Sequence, residues 1–476
     1  MITFFSSRFL LNNLGTEDYG LYNVINSFIL SLAIINTILI TSTNRFIAVE
    51  LGKKDSNVNH IFSNIFTLHL IVAFIVIILG KIIGFVWIEN YLNIDTNKIG
   101  ISHFVYNLSL ITIFFNIITV PFISYQTANE DFKNQSNIVL IQSIWILGLA
   151  YALTYVENKL KLYSTFICII YVVGYCSQIV YTISKYKDLK IKINLSKSIV
   201  KDVSNYSGWM SIGAIAYMLK NQGNSIVLNL FFGTKLNASY GIANQVYQQI
   251  NGIISNLNKV FVPKIMKSHG SGDKTYQRYV GILSSRYLFY LGLFIALPLF
   301  INIDSILKIW LINPPQYASI FIKLLLLDML LSLVNNGVSN MIFATGNVRN
   351  YQIVINSLNL VNLPLTYILF KLGFEPYYLV FTSIVFTLIT NMFKIMFARK
   401  LLNIDFQYLY NNNYKYIIRL SIISFVIYYF FINDNFQNIF KILLQSISIE
   451  IMLLICIVLI GINKEEKNLI INKIKK

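Results

Sequence analysis

The chain has 476 residues, 56% of them hydrophobic and only 12% charged, about half the charged share of a typical globular domain and too little to clothe a soluble fold of this length. Its formal charge of +18 does not mark a nucleic-acid binder, because the basic residues sit in alternate loops and are not gathered on one domain. A Lys- and Asn-rich composition, joined to the excess of Lys and Arg found in cytoplasmic loops, accounts for the balance. The apolar residues fall in runs of roughly 18–25, enough to cross about 30 Å of hydrocarbon and longer than the roughly ten residues of a barrel strand. The predicted class is an all-α polytopic membrane protein with about fourteen transmembrane helices.

In chain order the predicted spans are 1–14, 21–40, 62–87, 104–125, 138–155 and 160–183, then 206–232, 238–262, 282–301, 317–343, 353–370 and 377–397, and finally 416–431 and 439–460. The first is short: about 14 residues at 1.5 Å each give roughly 21 Å, expected either of a helix thinned and tilted at its start or of one with a turn or two more upstream, the reading preferred here. The start has neither a basic n-region nor a small-residue cleavage site, so no cleavable signal peptide is expected. Loops 45–55, 185–201, 259–278 and 394–415, with the tail 464–476, hold roughly 25 Lys and Arg against roughly seven on the other side. That asymmetry predicts the cytoplasmic membrane as the location, both termini in the cytoplasm and an even helix count.

An internal repeat shows at two places. Leu14-Gly15-Thr16-Glu17-Asp18-Tyr19-Gly20-Leu21-Tyr22-Asn23 has its counterpart in Phe232-Gly233-Thr234-Lys235 with Tyr240-Gly241-Ile242-Ala243-Asn244, and Ala128-Asn129 in Gly346-Asn347. Both are offset by roughly 220 residues, and six helices per repeat would relate the halves by an axis along the membrane normal. The predicted organisation is an N-lobe over 1–190, a C-lobe over 191–404, and two further helices with a basic tail over 405–476. Gly15 and Gly233 are expected to end their helices in the left-handed conformation, with Thr16 or Asp18 capping the helix that follows.

Ionisable groups inside spans are costly and face protein or a water-filled cavity. Lys220 lies about 12 residues from the outer end of its helix, so roughly 18 Å deep. Tyr217, Lys220, Asn221 and Asn224 form one stripe at i, i+3, i+4, i+7 spacing, and Gly241, Gln245, Gln248, Gly252 and Ser255 keep a similar rhythm on the next helix. Two polar stripes on adjacent helices fit a shared aqueous cavity; buried amides bonding helix to helix fit them as well. Arg8 is about 10 Å inside the outer end of the first helix, placed either to line that cavity or to snorkel. Lys81 and Lys323 are expected to snorkel. Asp328 is deeper, a candidate to pair with Lys220 or to couple an ion. His69 and Glu450 lie within spans without an assigned role. Pro121, Pro298 and Pro364 are placed to kink their helices. Cys168, Cys176 and Cys456 lack metal-ligand spacing and predict neither disulfide nor metal. There is no phosphate-binding Gly-rich loop, nucleophile elbow or zinc-binding His pair, so neither an enzyme nor a cofactor is expected.

Several stretches carry a family resemblance when taken in order: Ser7-Arg8 through Gly15 to Asn23, Arg45-Phe46 with Glu50-Leu51-Gly52, and Gln222-Gly223 through Asn229 to Gly233. Pro263-Lys264-Ile265 with Lys267-Ser268, Ile306-Leu307-Lys308-Ile309-Trp310-Leu311, and Ala344-Thr345-Gly346-Asn347 with Tyr351-Gln352 continue it. Over nearly its whole length the chain resembles the polysaccharide-transporter branch of the multidrug/oligosaccharidyl-lipid/polysaccharide (MOP) exporter superfamily, the flippases of O-antigen and capsule repeat units. The resemblance implies a MATE-like fold of two six-helix lobes around a central cavity, two peripheral C-terminal helices, alternating access, and export of an undecaprenyl-pyrophosphate-linked oligosaccharide. It implies a cationic cavity, with Arg8 and Lys220 on the first helices of the two lobes attracting the pyrophosphate and amides such as Gln245 and Gln248 bonding sugars. Membrane lipids, a glycan polymerase and chain-length machinery are the implied partners. Relatives carry more residues before Ser7-Arg8 than this chain does. A multidrug antiporter of the same superfamily would need an acidic cavity, for which the chain offers mainly Asp328 against two bases. A glycan ligase or polymerase would display a long external loop bearing catalytic Arg or His, and the outer loops here are short.

Overall fold

The computed structural model describes residues 2–90, 92, 94–311, 314–431, 438–463 and 466, with a number of side chains before position 35 outside the description. The helices are α1 (Ile2–Gly52), α2 (Val58–Asn90), α3 (Ile99–Ala128), α4 (Phe132–Ala152), α5 (Lys159–Lys185), α6 (Lys197–Gly270) and α7 (Lys274–Leu311). They continue with α8 (Ala318–Leu333), α9 (Asn336–Thr345), α10 (Arg349–Lys371), α11 (Tyr378–Leu402), the short α12 (Phe406–Leu409), α13 (Lys415–Phe431) and α14 (Ile439–Cys456). Among the described residues nine single helices are long and apolar enough to cross a bilayer, and α8 with α9 forms a further candidate bent by 47°. The protein is an all-α, multi-pass membrane protein.

α1 and α6 each consist of two helices joined at a glycine, Gly15 (φ 77°, ψ 170°) and Gly233 (φ 74°, ψ −173°). The positive φ is as expected, but ψ is extended rather than left-handed helical, a region open essentially to glycine alone. The two glycines share one conformation, so the repeat visible in the sequence is repeated in the backbone. Pro121, Pro298 and Pro364 lie inside α3, α7 and α10, which run through them uninterrupted.

The chain divides into two compact units, residues 1–214 with 270–272, and residues 215–269 with 273–476. In the first, α3 packs against α1, α2 and α5. Tyr106, 1% exposed, lies against Gly84 and donates its hydroxyl to the carbonyl of Gly80 at 2.7 Å; the two glycines, one helical turn apart, clear the room its ring occupies. His69 is fully buried and bridges helices, one ring nitrogen 2.8 Å from the Ile65 carbonyl and the other 3.2 Å from the Thr43 hydroxyl. Gln126 of α3 donates to the Thr182 hydroxyl of α5 at 2.7 Å.

The link from α5 to α6 is pinned rather than loose. Asn59, Ser63 and Thr67 lie at i, i+4, i+8 on one face of α2 and accept from the backbone N–H groups of Lys190, Lys192 and Asn194 at 2.9, 3.1 and 3.2 Å. Asn64 accepts from the N–H of Ser196. Four polar side chains on a helix thus take the place of a partner strand, so the extended link keeps its hydrogen bonds. At the turn between α3 and α4, one carboxylate oxygen of Asp131 accepts from Lys185 at 2.6 Å, Tyr181 at 3.0 Å and Tyr186 at 3.2 Å. Burial pushes the Asp131 carboxyl up, but these donors outweigh it and hold it below its ordinary value of 3.8.

In the second unit, the predicted single span over 317–343 is broken between α8 and α9. The break exposes carbonyls that hydrocarbon cannot solvate. Asn391 donates to the carbonyl of Leu331 at 2.8 Å and Asn413 to that of Val334 at 2.9 Å. Asn335, 1% exposed, accepts from the Tyr414 hydroxyl at 2.7 Å and donates to Asn391 at 3.2 Å. On the far side Gly337 donates its N–H to Ser285 of α7 at 2.8 Å. Amides from α11 and from the turn before α13 therefore stand in for the missing helical bonds.

Candidate functional site

Within the second unit, the two halves of α6 bring their polar stripes together with α8 and α11. On the first half Lys220 and Asn221 are half-buried, Tyr217 is 52% exposed and Asn224 only 3%. Asn224 donates to the Tyr240 hydroxyl on the second half at 3.3 Å, and Ser225 donates to Asn237 at 2.8 Å. These bonds hold the halves against each other across the Gly233 break, so Asn224 has a structural part; its own carbonyl oxygen is buried without a partner among the described residues. Gln245 and Gln248 are exposed on the second half. Lys220 makes no hydrogen bond or ion pair with a described residue.

Asp328, half-buried on α8, accepts from the Thr387 hydroxyl of α11 at 2.5 Å. Lys394, two helical turns beyond Thr387, is the cation within electrostatic range of that carboxylate, and Tyr240 and Tyr247 of α6 share its field with Tyr217. Among the described residues no contact joins Asp328 to Lys220. The sequence places Lys394 both at the end of the span 377–397 and at the start of the basic stretch 394–415; α11 continues to Leu402 and keeps it inside the helix. Thr387, Asn391 and Lys394 recur at i, i+4, i+7 on α11, the same signal that marked the Lys220 stripe. Five ionisable or phenolic groups, Tyr217, Tyr240, Tyr247, Asp328 and Lys394, therefore share one region although α6, α8 and α11 are far apart in sequence.

The other candidates separate from this cluster. The side chain of Arg8 lies outside the described residues. Lys323, expected to snorkel, donates to Asp304 of α7 at 2.8 Å, and Lys81 is exposed. The three cysteines are free; buried Cys168 donates to the Leu108 carbonyl at 3.4 Å. Among the described residues no three His, Cys, Asp or Glu side chains gather as metal ligands would.

Polar and charged side chains spaced along broken and continuous membrane helices are a way to hold a hydrophilic group at bilayer depth. The whole fold is shared with transporters of the MOP superfamily. An outward-facing MATE-family multidrug resistance transporter of that superfamily superposes with a TM-score of 0.72 at 12% identity, over 84% of this chain and 91% of its own. A MOP-superfamily transporter from Pyrococcus furiosus matches at 0.68 and 15%, over 85% and 92%. A variant of a Vibrio cholerae MATE transporter matches at 0.69 and 14%, over 86% and 93%. No curated protein shows a significant match in sequence. Residues 2–269 match the family described as polysaccharide biosynthesis protein, more than half of the chain, and the chain belongs to that family.

Proposed function

We propose that this protein is a flippase that moves a lipid-linked oligosaccharide with a diphosphate linker across the cytoplasmic membrane by alternating access, with both termini in the cytoplasm. The observation that carries the reading is Lys220, a half-buried lysine on the first half of α6 with no anion beside it among the described residues. A diphosphate cannot cross hydrocarbon unneutralised, and a fixed cation in a site of low dielectric offsets much of that cost. Membership of a polysaccharide biosynthesis family supplies the class of cargo, and the MOP fold supplies the means of moving it. Asn221, Gln245 and Gln248 present donors and acceptors of the kind sugar hydroxyls need, and Arg8 is the matching cation on the first helix.

The state of Asp328 argues against the drug-antiporter reading. A site for cationic drugs needs an acid with charge to spare, and Asp328 already accepts from Thr387 and has Lys394 within electrostatic range. That setting suits ion coupling better, because protonation of one group changes the field felt by the other.

The test is export of surface glycan in cells whose only copy carries Lys220→Ala or Lys220→Arg. Export should fall at least about tenfold in the alanine variant at unchanged membrane abundance, and recover in part with arginine, the loss corresponding to one charge-assisted contact. Normal export with Lys220→Ala would remove the lysine from the mechanism, and drug resistance conferred by the overexpressed wild type would favour the antiporter.

A further inference from the structure

The polypeptide beyond α14 does not leave the second unit at once. It settles between α7 and α13. Gly461 sits so close to Leu420 and to the ring of Tyr290 that an added methyl would come within 3.0 and 3.4 Å of them. The Tyr290 hydroxyl donates to the Gly461 carbonyl at 2.8 Å. Five residues on, the Glu466 carboxylate reaches Arg286 of α7. Both are 3% exposed. The Arg286 guanidinium also lies 4.8 Å over the ring of Tyr416 at the start of α13.

The two partners are unevenly used. One Glu466 oxygen accepts from Arg286 and the other from the N–H of Asn463 at 3.0 Å, while the Asn463 side chain accepts from the N–H of Glu466 at 2.8 Å. The carboxylate is thus satisfied within its own turn. The guanidinium is not: its Nε and Nη1 are buried with no partner among the described residues. A guanidinium carries five N–H donors in a planar fork suited to bidentate acceptors. Here a carboxylate engages one end of that fork and leaves two nitrogens without a hydrogen-bond acceptor among the described residues, a cost that the contact with the Tyr416 ring offsets only in part. A phosphate has the additional oxygens to meet them.

The surroundings fit such a ligand. Two turns earlier on α7, Arg278 donates to the carbonyls of Leu402 and Asn403, where α11 ends, at 2.9 and 3.0 Å, so Arg286 lies about 12 Å of helix further in. This end of the unit carries the basic stretches 259–269 and 394–415, which lie largely at helix ends. Basic pockets between transmembrane helices on such a face take anionic lipid headgroups. We propose that Arg286 is a binding site for the phosphate of an anionic phospholipid, and that Glu466 fills it as an internal stand-in until a lipid displaces the tail. The aromatic walls of Tyr290 and Tyr416 would flank the headgroup, and Gly461 and Glu466 would be held or released by the lipid composition around them.

Deuterium uptake by 461–466, measured on the full chain in nanodiscs, tests this directly. Uptake should be about tenfold faster with phosphatidylglycerol present than in phosphatidylcholine alone, the factor expected when a charge-assisted contact is exchanged for a competing one. Native mass spectrometry supplies the second arm. Glu466→Gln should retain more phosphatidylglycerol than the wild type, and Arg286→Met/Glu466→Met, from which both charges are gone, should retain less. Equal uptake in the two nanodiscs together with equal retention by the three proteins would overturn the site. Release of the segment by millimolar inorganic phosphate in phosphatidylcholine nanodiscs, with no effect of phosphatidylglycerol, would overturn the lipid as ligand in favour of soluble phosphate.

Discussion

The two units meet the same problem, polar groups inside a membrane fold, in different ways. In the unit of residues 1–214 the buried carboxylates stand at helix ends, Glu50 with Lys53 and Asp131 with Lys185, while inside the helices His69 lies between Ile65 and Thr43, Gln126 on Thr182 and Tyr106 on Gly80, all neutral contacts. In the other unit, charges enter the helices themselves: Asp328 and Lys394, Arg286 with Glu466, and Lys220 without a described partner. A matched neutral network rigidifies its surroundings. A buried charge is expensive to hold and sensitive to whatever neutralises it.

The largest expected effect breaks an ionic pair of the second unit. Arg286→Met should cost about 3–5 kcal/mol, because it strands the Glu466 carboxylate, whereas Arg286→Met/Glu466→Met should return to within about 1 kcal/mol of the wild type. Thermal unfolding of the purified protein in detergent measures both, and a double variant as unstable as the single one would show that the pair is not what holds the tail. Next come the glycines, where the units are expected to agree. Gly15→Ala and Gly233→Ala should each cost about 1–3 kcal/mol, since neither site is crowded and the penalty is one of backbone conformation alone. Gly241→Ala, in open space at an ordinary helical conformation, should instead stabilise by up to about 1 kcal/mol.

A smaller loss is expected in the neutral network. His69→Leu leaves the buried Thr43 hydroxyl unpaired and should cost about 1–3 kcal/mol, and adding Thr43→Val should recover part of it. If His69→Leu proved as damaging as Arg286→Met, the contrast between the units would dissolve. The smallest effect concerns Asp131. Its carboxyl is held below 3.8 in the folded state, so its contribution is complete above the unfolded value and disappears as the pH falls through the folded one. Asp131→Asn should therefore unfold at a lower temperature than the wild type at neutral pH, and the gap should close in strong acid. A gap that widened in acid would mean that Asp131 is not the acceptor of the Lys185 cluster.

Much of the architecture was legible in the residues alone. Apolar runs located α2 to α5, α7, α10, α11, α13 and α14, because crossing hydrocarbon is a demand on a segment's own length and composition. The repeat placed Gly15 and Gly233 together, since only glycine accepts a positive φ without strain. The stripe through Lys220 was readable as a period of helix. What tertiary structure alone decided is how those segments end, bend and neutralise one another. The break between α8 and α9 depends on Asn391 and Asn413, 60 and 79 positions from the carbonyls they bond. Lys394 became part of the site because α11 packs against α8 and carries it within electrostatic range of Asp328, and Arg286 found its partner 180 residues away. Hydrophobic length is a local property that a window of sequence contains, whereas the partner of a buried polar group is set by whichever residue the packing delivers to it.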